Sequence, residues 1–244
     1  MIGNERQTNI LADRYFSVIV GDLANLFLLF VQVPVIAGII CLIWSGTKAD
    51  VRLHMALCLS AIWLGLFNSC REVVKERALY ERERRLFLKT SSYLLSKIYI
   101  LALLCAIQTM DLLWAVDYYV GLTGSKILLW VALFLGSMGG VCLGLFISCL
   151  VSTRDRAVTL APVVMLPQVF FCKGFMPSDS THGVVGTLKK LMLIEWVGRA
   201  FEHFLRVGRD MVILDAFLDL AGLLLYILAL LGLSILVLEM EELT

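Results

Sequence analysis

The sequence predicts an all-α integral membrane protein. Of its 244 residues, 60% are hydrophobic and 17% charged, and the mean hydropathy is +0.88, well outside the range of ordinary soluble domains. The apolar residues gather in segments of about twenty, the length an α-helix needs to cross ~30 Å of hydrocarbon. The charges gather between them, most densely over residues 68–89, NSCREVVKERALYERERRLFLK.

That charged run sets the orientation. It interleaves Arg71, Lys75, Arg77, Arg82, Arg84, Arg85 and Lys89 with Glu72, Glu76, Glu81 and Glu83, at spacings that allow i,i+3 and i,i+4 pairing on a helix. No proline or glycine interrupts it. Val73, Val74, Leu79, Tyr80, Leu86 and Phe87 give it an apolar side, so the spacing predicts one helix docked on a membrane surface or a partner. A loop so rich in Lys and Arg stays on the cytoplasmic side.

The other elements follow in order. Residues 1–22 predict an amphipathic helix in the interface, with Arg6 and Arg14 on its polar side. Six spans are expected at about 23–44, 51–68, 93–116, 127–151, 157–176 and 211–238, with both termini cytoplasmic. Pro34 should kink the first, while Pro162 and Pro167 break the fifth, which membranes tolerate where backbone is buried in protein or lines a cavity. Residues 177–210 are too polar to span and too apolar for a free loop, and predict one or two short re-entrant or interfacial helices on the outer side. Gly136, Gly140, Gly144 and Ser148 recur every four residues along the fourth span, a stripe that admits a neighbouring helix closely, more simply within the subunit than across a dimer. Asp111, with Gln108 inside the third span, reads as solvated or salt-linked near the outer end.

Several function classes fall away. A formal net charge of +1 provides no field for nucleic acid. The seven cysteines, none in a C-x-x-C pair, read as small hydrophobes. No N-x-S/T acceptor occurs, which fits a bacterial inner membrane, and no cleaved signal is expected because the first apolar run is long enough to span. Gly121 to Lys126 is the nearest approach to a P-loop and lacks its spacing; no G-x-S-x-G turn or H-E-x-x-H helix is present. No catalytic residue, cofactor or metal site is expected in this chain.

Three stretches resemble the transmembrane domain of G-subfamily ABC transporters and the wider ABC-2 type permeases. They are RYFSVIVGDLANLFLLFVQVP at 14–34, REVVKERALYERERR at 71–85, and P-x-x-x-x-P-x-x-x-F-x-x-G-F from Pro162 with L-x-x-x-E-W-x-x-R-A-F-E at 191–202. The resemblance implies the membrane-spanning permease of an ATP-driven exporter, working by alternating access as a homodimer. ATPase domains would sit beneath, supplied by a separate subunit or by a longer chain, and ATP and Mg would belong to them.

Site roles come from the same resemblance. Coupling to the ATPase falls to Arg14, Arg71, Glu72, Lys75, Glu76, Arg77, Arg82 and Glu83, with Glu76 and Arg77 foremost in ionic contacts. The substrate path falls to Leu57, Ala61, Leu64 and Asn68 on span two and to Met165, Pro167, Val169 and Phe170 on span five. Phe175 and Met176, after Gly174, form the gate. An almost wholly apolar lining favours a lipidic or amphipathic substrate; a polysaccharide or glycoconjugate exporter and a non-transport scaffold or channel are the alternatives.

Overall fold

The computed structural model describes residues 2–47, 49–176, 183–205 and 213–240, all of whose regular structure is helical. The helices are α1 (Ile2–Gly21), α2 (Leu23–Trp44), α3 (Val51–Ser69), α4 (Arg77–Arg84), α5 (Thr90–Val120), α6 (Lys126–Leu150), α7 (Arg154–Phe170), α8 (Val184–Lys190), α9 (Leu193–Leu205) and α10 (Ile213–Met240). Among the described residues, five stretches are long and apolar enough to cross a membrane: Leu23–Trp44, Val51–Arg84, Thr90–Val120, Lys126–Leu150 and Asp215–Met240.

Local chemistry sets the helix ends. Asp50 caps α3 by accepting from the Leu53 amide at 2.9 Å, and it also accepts from the Trp44 indole at 3.0 Å, so one carboxylate closes the α2–α3 turn. The Leu53 amide bond holds the Asp50 carboxyl below its ordinary pKa. Thr153 caps α7, and Gly121, at φ 72°, ends α5 in a left-handed turn.

The core is the α3–α6 pair, packed backbone to backbone. A Cβ on Gly65 would lie 1.9 Å from the Ser137 carbonyl oxygen, one on Gly140 2.2 Å from that of Ile62, and one on Gly144 2.1 Å from the Ser69 hydroxyl. The small-residue stripe is therefore spent inside the protomer, with Gly136 receiving Val197 of α9. α9 buries Leu193, Ile194, Val197, Ala200, Phe201 and Phe204 on one side, and its Trp196 lies against Gly222 of α10. α1 runs along α5 and buries Leu11, Tyr15 and Ile19, one residue per turn. A polar chain knits α2, α3 and α5: Asn68 donates to Gln108 at 2.6 Å, Gln32 donates to Asn68 at 3.3 Å, and Gln108 donates to the Leu29 carbonyl at 2.8 Å.

Three expectations change. The single helix over 71–85 is broken: after α3 come a turn, a 3-10 turn at Val74–Glu76, and only then α4. The Val73 and Val74 amides donate to the Ser148 hydroxyl at 3.0 and 2.9 Å, a partner on α6 in place of a continued helical ladder. α5 is longer at both ends than the span expected at 93–116. α7 starts earlier and ends at Phe170; its 17 residues reach only ~25 Å at 1.5 Å per residue, too short to count among the five stretches. The segment 177–210 holds two short helices, α8 and α9, while residues 177–182 and 206–210 lie outside the described residues.

Glycine packing makes a direct test. Gly140→Ala should cost about 1–3 kcal/mol through overpacking on α3, whereas Gly38→Ala, with nothing within 4 Å of the added carbon, should be neutral or slightly stabilising. Thermal unfolding of the two purified proteins in one detergent compares them.

Candidate functional site

The charged run binds, at one end of the helix assembly, to nearly every helix that reaches it. Its centre is Lys97 of α5, which is 1% exposed. The Lys97 ammonium donates to Glu76 at 2.7 Å and sits 4.2 Å from the centre of the Tyr15 ring and 5.0 Å from that of Tyr93. Beside it Glu72, 6% exposed, accepts from the Tyr15 hydroxyl at 2.7 Å and from Lys75 at 2.9 Å. Two carboxylates thus face two ammonium groups, and the cluster is neutral as a whole. Burial first, and the Glu72 carboxylate second, push the Tyr15 phenol well above its ordinary pKa, so it remains a donor at any physiological pH.

Further contacts fasten the run from outside. Arg14 of α1 pairs with Glu83 of α4. Arg71 donates to Asn25 of α2 at 3.3 Å, Arg77 to the Val151 carbonyl at 2.7 Å, and Arg154 to the Lys75 carbonyl at 3.4 Å. The Tyr80 and Thr90 hydroxyls are 3.0 Å apart, and Arg84 also reaches Thr90. The run is a junction that joins α1, α2, α5, α6 and α7.

This geometry sorts the residues read from the sequence. Of the eight coupling residues only Arg82 is exposed; Glu72, Lys75, Glu76, Arg77, Glu83, Arg14 and Arg71 all spend charge within the protomer. The open surface is instead Glu81, Arg82, Arg85, Leu86, Phe87 and Lys89. Leu86 and Phe87 are 75% and 90% exposed, and Phe87 holds a left-handed φ of 67° that costs a non-glycine residue. Lys97 escaped the sequence reading because one lysine near the start of a span resembles an interfacial anchor. A lysine with three further turns of apolar residues after it was the available signal.

The path residues are also divided. Leu57, Ala61 and Leu64 are fully buried between helices of the protomer, and Asn68 belongs to the polar chain with Gln32 and Gln108. On α7, Met165 is buried with Ala157, Ala161 and Gln168, whereas Pro167 and Phe170 are exposed and Val169 half-buried. Gln168, which the sequence reading passed over, accepts from the Ile194 amide at 3.0 Å and so ties α7 to the start of α9. Phe175 is 66% exposed and meets Phe170 edge to face at 6.1 Å, with Met176 half-buried beside it. Asp111 faces outward from α5, and its charge finds no ion pair among the described residues.

The family model for the ABC-2 type transporter matches residues 6–205. The chain belongs to this family. The match runs from α1 through the junction and all of α3–α9, so the buried charges lie inside the family's own domain. The ABC-2 type chain is also similar to the ABC transporter ATP-binding/permease protein Rv1747 of Mycobacterium tuberculosis, 22% identical over 193 residues. The match covers 70% of this chain and 22% of that protein, so the chain spans about a fifth of the relative's length.

The junction predicts a specific double-variant result. Lys97→Met leaves the half-buried Glu76 carboxylate without its partner and should cost about 1–3 kcal/mol. Adding Glu76→Leu removes the stranded charge and should recover most of that loss. Chemical unfolding in detergent reads both; equal losses in the single and double variants would show that the two residues are not energetically coupled.

Proposed function

We propose that this ABC-2 type chain is the membrane-spanning part of an ATP-driven exporter of lipidic or amphipathic molecules, acting as a homodimer. An ABC ATPase, fused or separate, binds at the junction end and supplies ATP and Mg. That end faces the cytoplasm of a bacterium, with both termini on the same side, and α7 serves as a short fifth of six spans. α8 and α9 are its re-entrant helices at the outer side.

One observation carries the reading: the junction gathers five helices into one body and leaves the cationic ridge of Arg82, Arg85 and Lys89, with the Leu86–Phe87 tip, open to a partner. Closure of an ATPase pair pushing on this ridge moves α1 and α5 together, because the Lys97–Glu76 and Tyr15–Glu72 contacts transmit the push. Glu76 and Arg77 serve coupling from within the junction in this scheme. The path follows the less buried side of α3, with Leu59, Trp63 and Phe67, and the outward side of α7, with Val163, Leu166 and Phe170. These side chains are apolar, which supports a lipidic cargo over a hydroxyl-rich one. The edge-to-face Phe170–Phe175 pair, with Met176, supplies a dry constriction when met by its two-fold mate.

Reconstituting the chain with its ATPase in liposomes and following ATP-dependent movement of fluorescent lipids tests the assignment, and absence of vanadate-sensitive flux for every lipid and amphiphile tried would remove it. Arg82→Glu should cut substrate-stimulated ATPase turnover about tenfold, equivalent to ~1.4 kcal/mol of coupling, with the unfolding midpoint unchanged. Replacing Phe175 and Met176 together by alanine should raise basal ATPase turnover or lipid leak per folded complex; unaltered turnover would make them anchors and not a gate.

A further inference from the structure

The junction leaves unexplained a second set of charges, at the opposite end of the molecule between α9 and the start of α10. Trp196, Arg199 and His203 of α9 face Asp215, Leu218, Asp219 and Gly222 of α10 across an open cleft of about 460 Å³. The Trp196 ring lines it, pressed so closely on Gly222 that a Cβ there would lie 2.2 Å from the ring. Asp219 is 7% exposed on the apolar helix α10, whose other acids are Asp215 one turn before and Glu239 near its end, and an acid so placed is costly and marks a functional position by default.

The contacts around Asp219 are loose. Arg199 approaches one carboxylate oxygen at 3.7 Å and His203 the other at 3.5 Å, ion-pair distances at which hydrogen bonding is weak. The Arg199 guanidinium lies 4.7 Å from the Trp196 ring centre, and its Nε is 3.4 Å from Glu195 yet makes no hydrogen bond. Neighbouring charges are already used: Lys173 pairs with Glu202 at 2.7 Å and Lys189 with Glu195 at 3.5 Å. Asp215 stands at the exposed mouth, one turn before Asp219 on the same side of α10, with no ion pair among the described residues. Inside the cleft two carboxylates face one guanidinium, and the imidazole adds charge only when protonated, so the cleft has room for a cation. No set of three His, Cys, Asp or Glu side chains converges for a metal ion among the described residues.

From the mouth of the cleft an exposed apolar stripe runs down α10 through Leu218, Leu225 and Leu228, spaced by helical turns. A small soluble amine has no use for such a stripe, whereas an acyl or alkyl chain does. We propose that the cleft binds an amine-bearing amphiphile drawn from the bilayer. Its ammonium lies between Asp215 and Asp219 and donates to the Asp219 carboxylate, which Arg199 and His203 meet only at 3.7 and 3.5 Å, while its chain follows Leu218, Leu225 and Leu228. Placement in the outer leaflet rests on the proposed topology; binding itself does not.

Native mass spectrometry of the full chain in detergent, titrated with dodecylamine, dodecanol, dodecyl phosphate and ethanolamine, tests this without ATP or an ATPase, so its outcome is independent of exporter activity. Dodecylamine should bind at least about tenfold more tightly than the other three. Asp215→Asn and Asp215→Lys should bring dodecylamine down to the level of dodecanol with the unfolding midpoint unchanged, since Asp215 is exposed. Equal binding of amine and alcohol, or amine binding undiminished in both variants, overturns the proposal. So does preference for dodecyl phosphate, which would make Arg199 and His203 an anion site, or ethanolamine matching dodecylamine, which would remove the chain from the ligand.

Discussion

The Lys97 ammonium lies where water does not reach, and a charge so placed survives only if the protein neutralises it on the spot. Glu76 does so by direct contact, and the faces of Tyr15 and Tyr93 add their electron-rich surfaces on either side. Each of these partners belongs to a different part of the chain, so the requirement of one buried cation fixes α1, the charged run and α5 relative to one another. Glu72, Lys75 and the Tyr15 hydroxyl extend the same neutral cluster, and Ser148, Val151 and Arg154 attach it to α6 and α7. Removing Glu76 or Tyr15 leaves the buried Lys97 or Glu72 charge short of a partner where solvent has little access.

The two ends of the molecule are built on different physics. Between them the α3–α6 pair is held by close backbone approach at Gly65, Gly140 and Gly144, which needs small residues and gains from dispersion where lipid offers no hydrophobic drive. At the junction end, the buried charges of Lys97 and Glu72 are paired at hydrogen-bond distance. At the other end, around Asp219 and Arg199, they are paired at longer range beside an open cleft. α7 contrasts with both, since it buries only a narrow stripe of Ala157, Ala161, Met165 and Gln168 and leaves its prolines and Phe170 outward.

Much was legible in the sequence because the relevant signals are one-dimensional. Apolar run length marks spans, the Lys/Arg-rich run marks a junction between them, and the recurrence of Gly136, Gly140, Gly144 and Ser148 marks a close helix contact that the structure places within the protomer. The motifs 14–34, 71–85 and 162–202 pointed to the ABC-2 type family that the comparison shows. Less was legible about individual side chains. Interleaved Glu and Arg over 71–85 read as one docking helix, yet Arg71, Glu72, Glu76, Arg77 and Glu83 turn to partners on other helices, while Glu81, Arg82 and Arg85 stay on the surface. The α3 residues chosen for a path share a helical face, but that face is the one covered by neighbouring helices.

Sequence alone determined that this chain is built of apolar helices, roughly where the long ones lie, and where its charge is concentrated, because length, hydropathy and local spacing act through residues near in the chain. Only the tertiary structure decided which charges meet. Lys97 is 21 residues from Glu76 and 82 from Tyr15, and Arg14 is 69 from Glu83; no local pattern encodes such encounters. They follow from how α1 lies along α5 and how Ser148 breaks the run at Val73 and Val74, and that packing is settled by burial across the whole assembly.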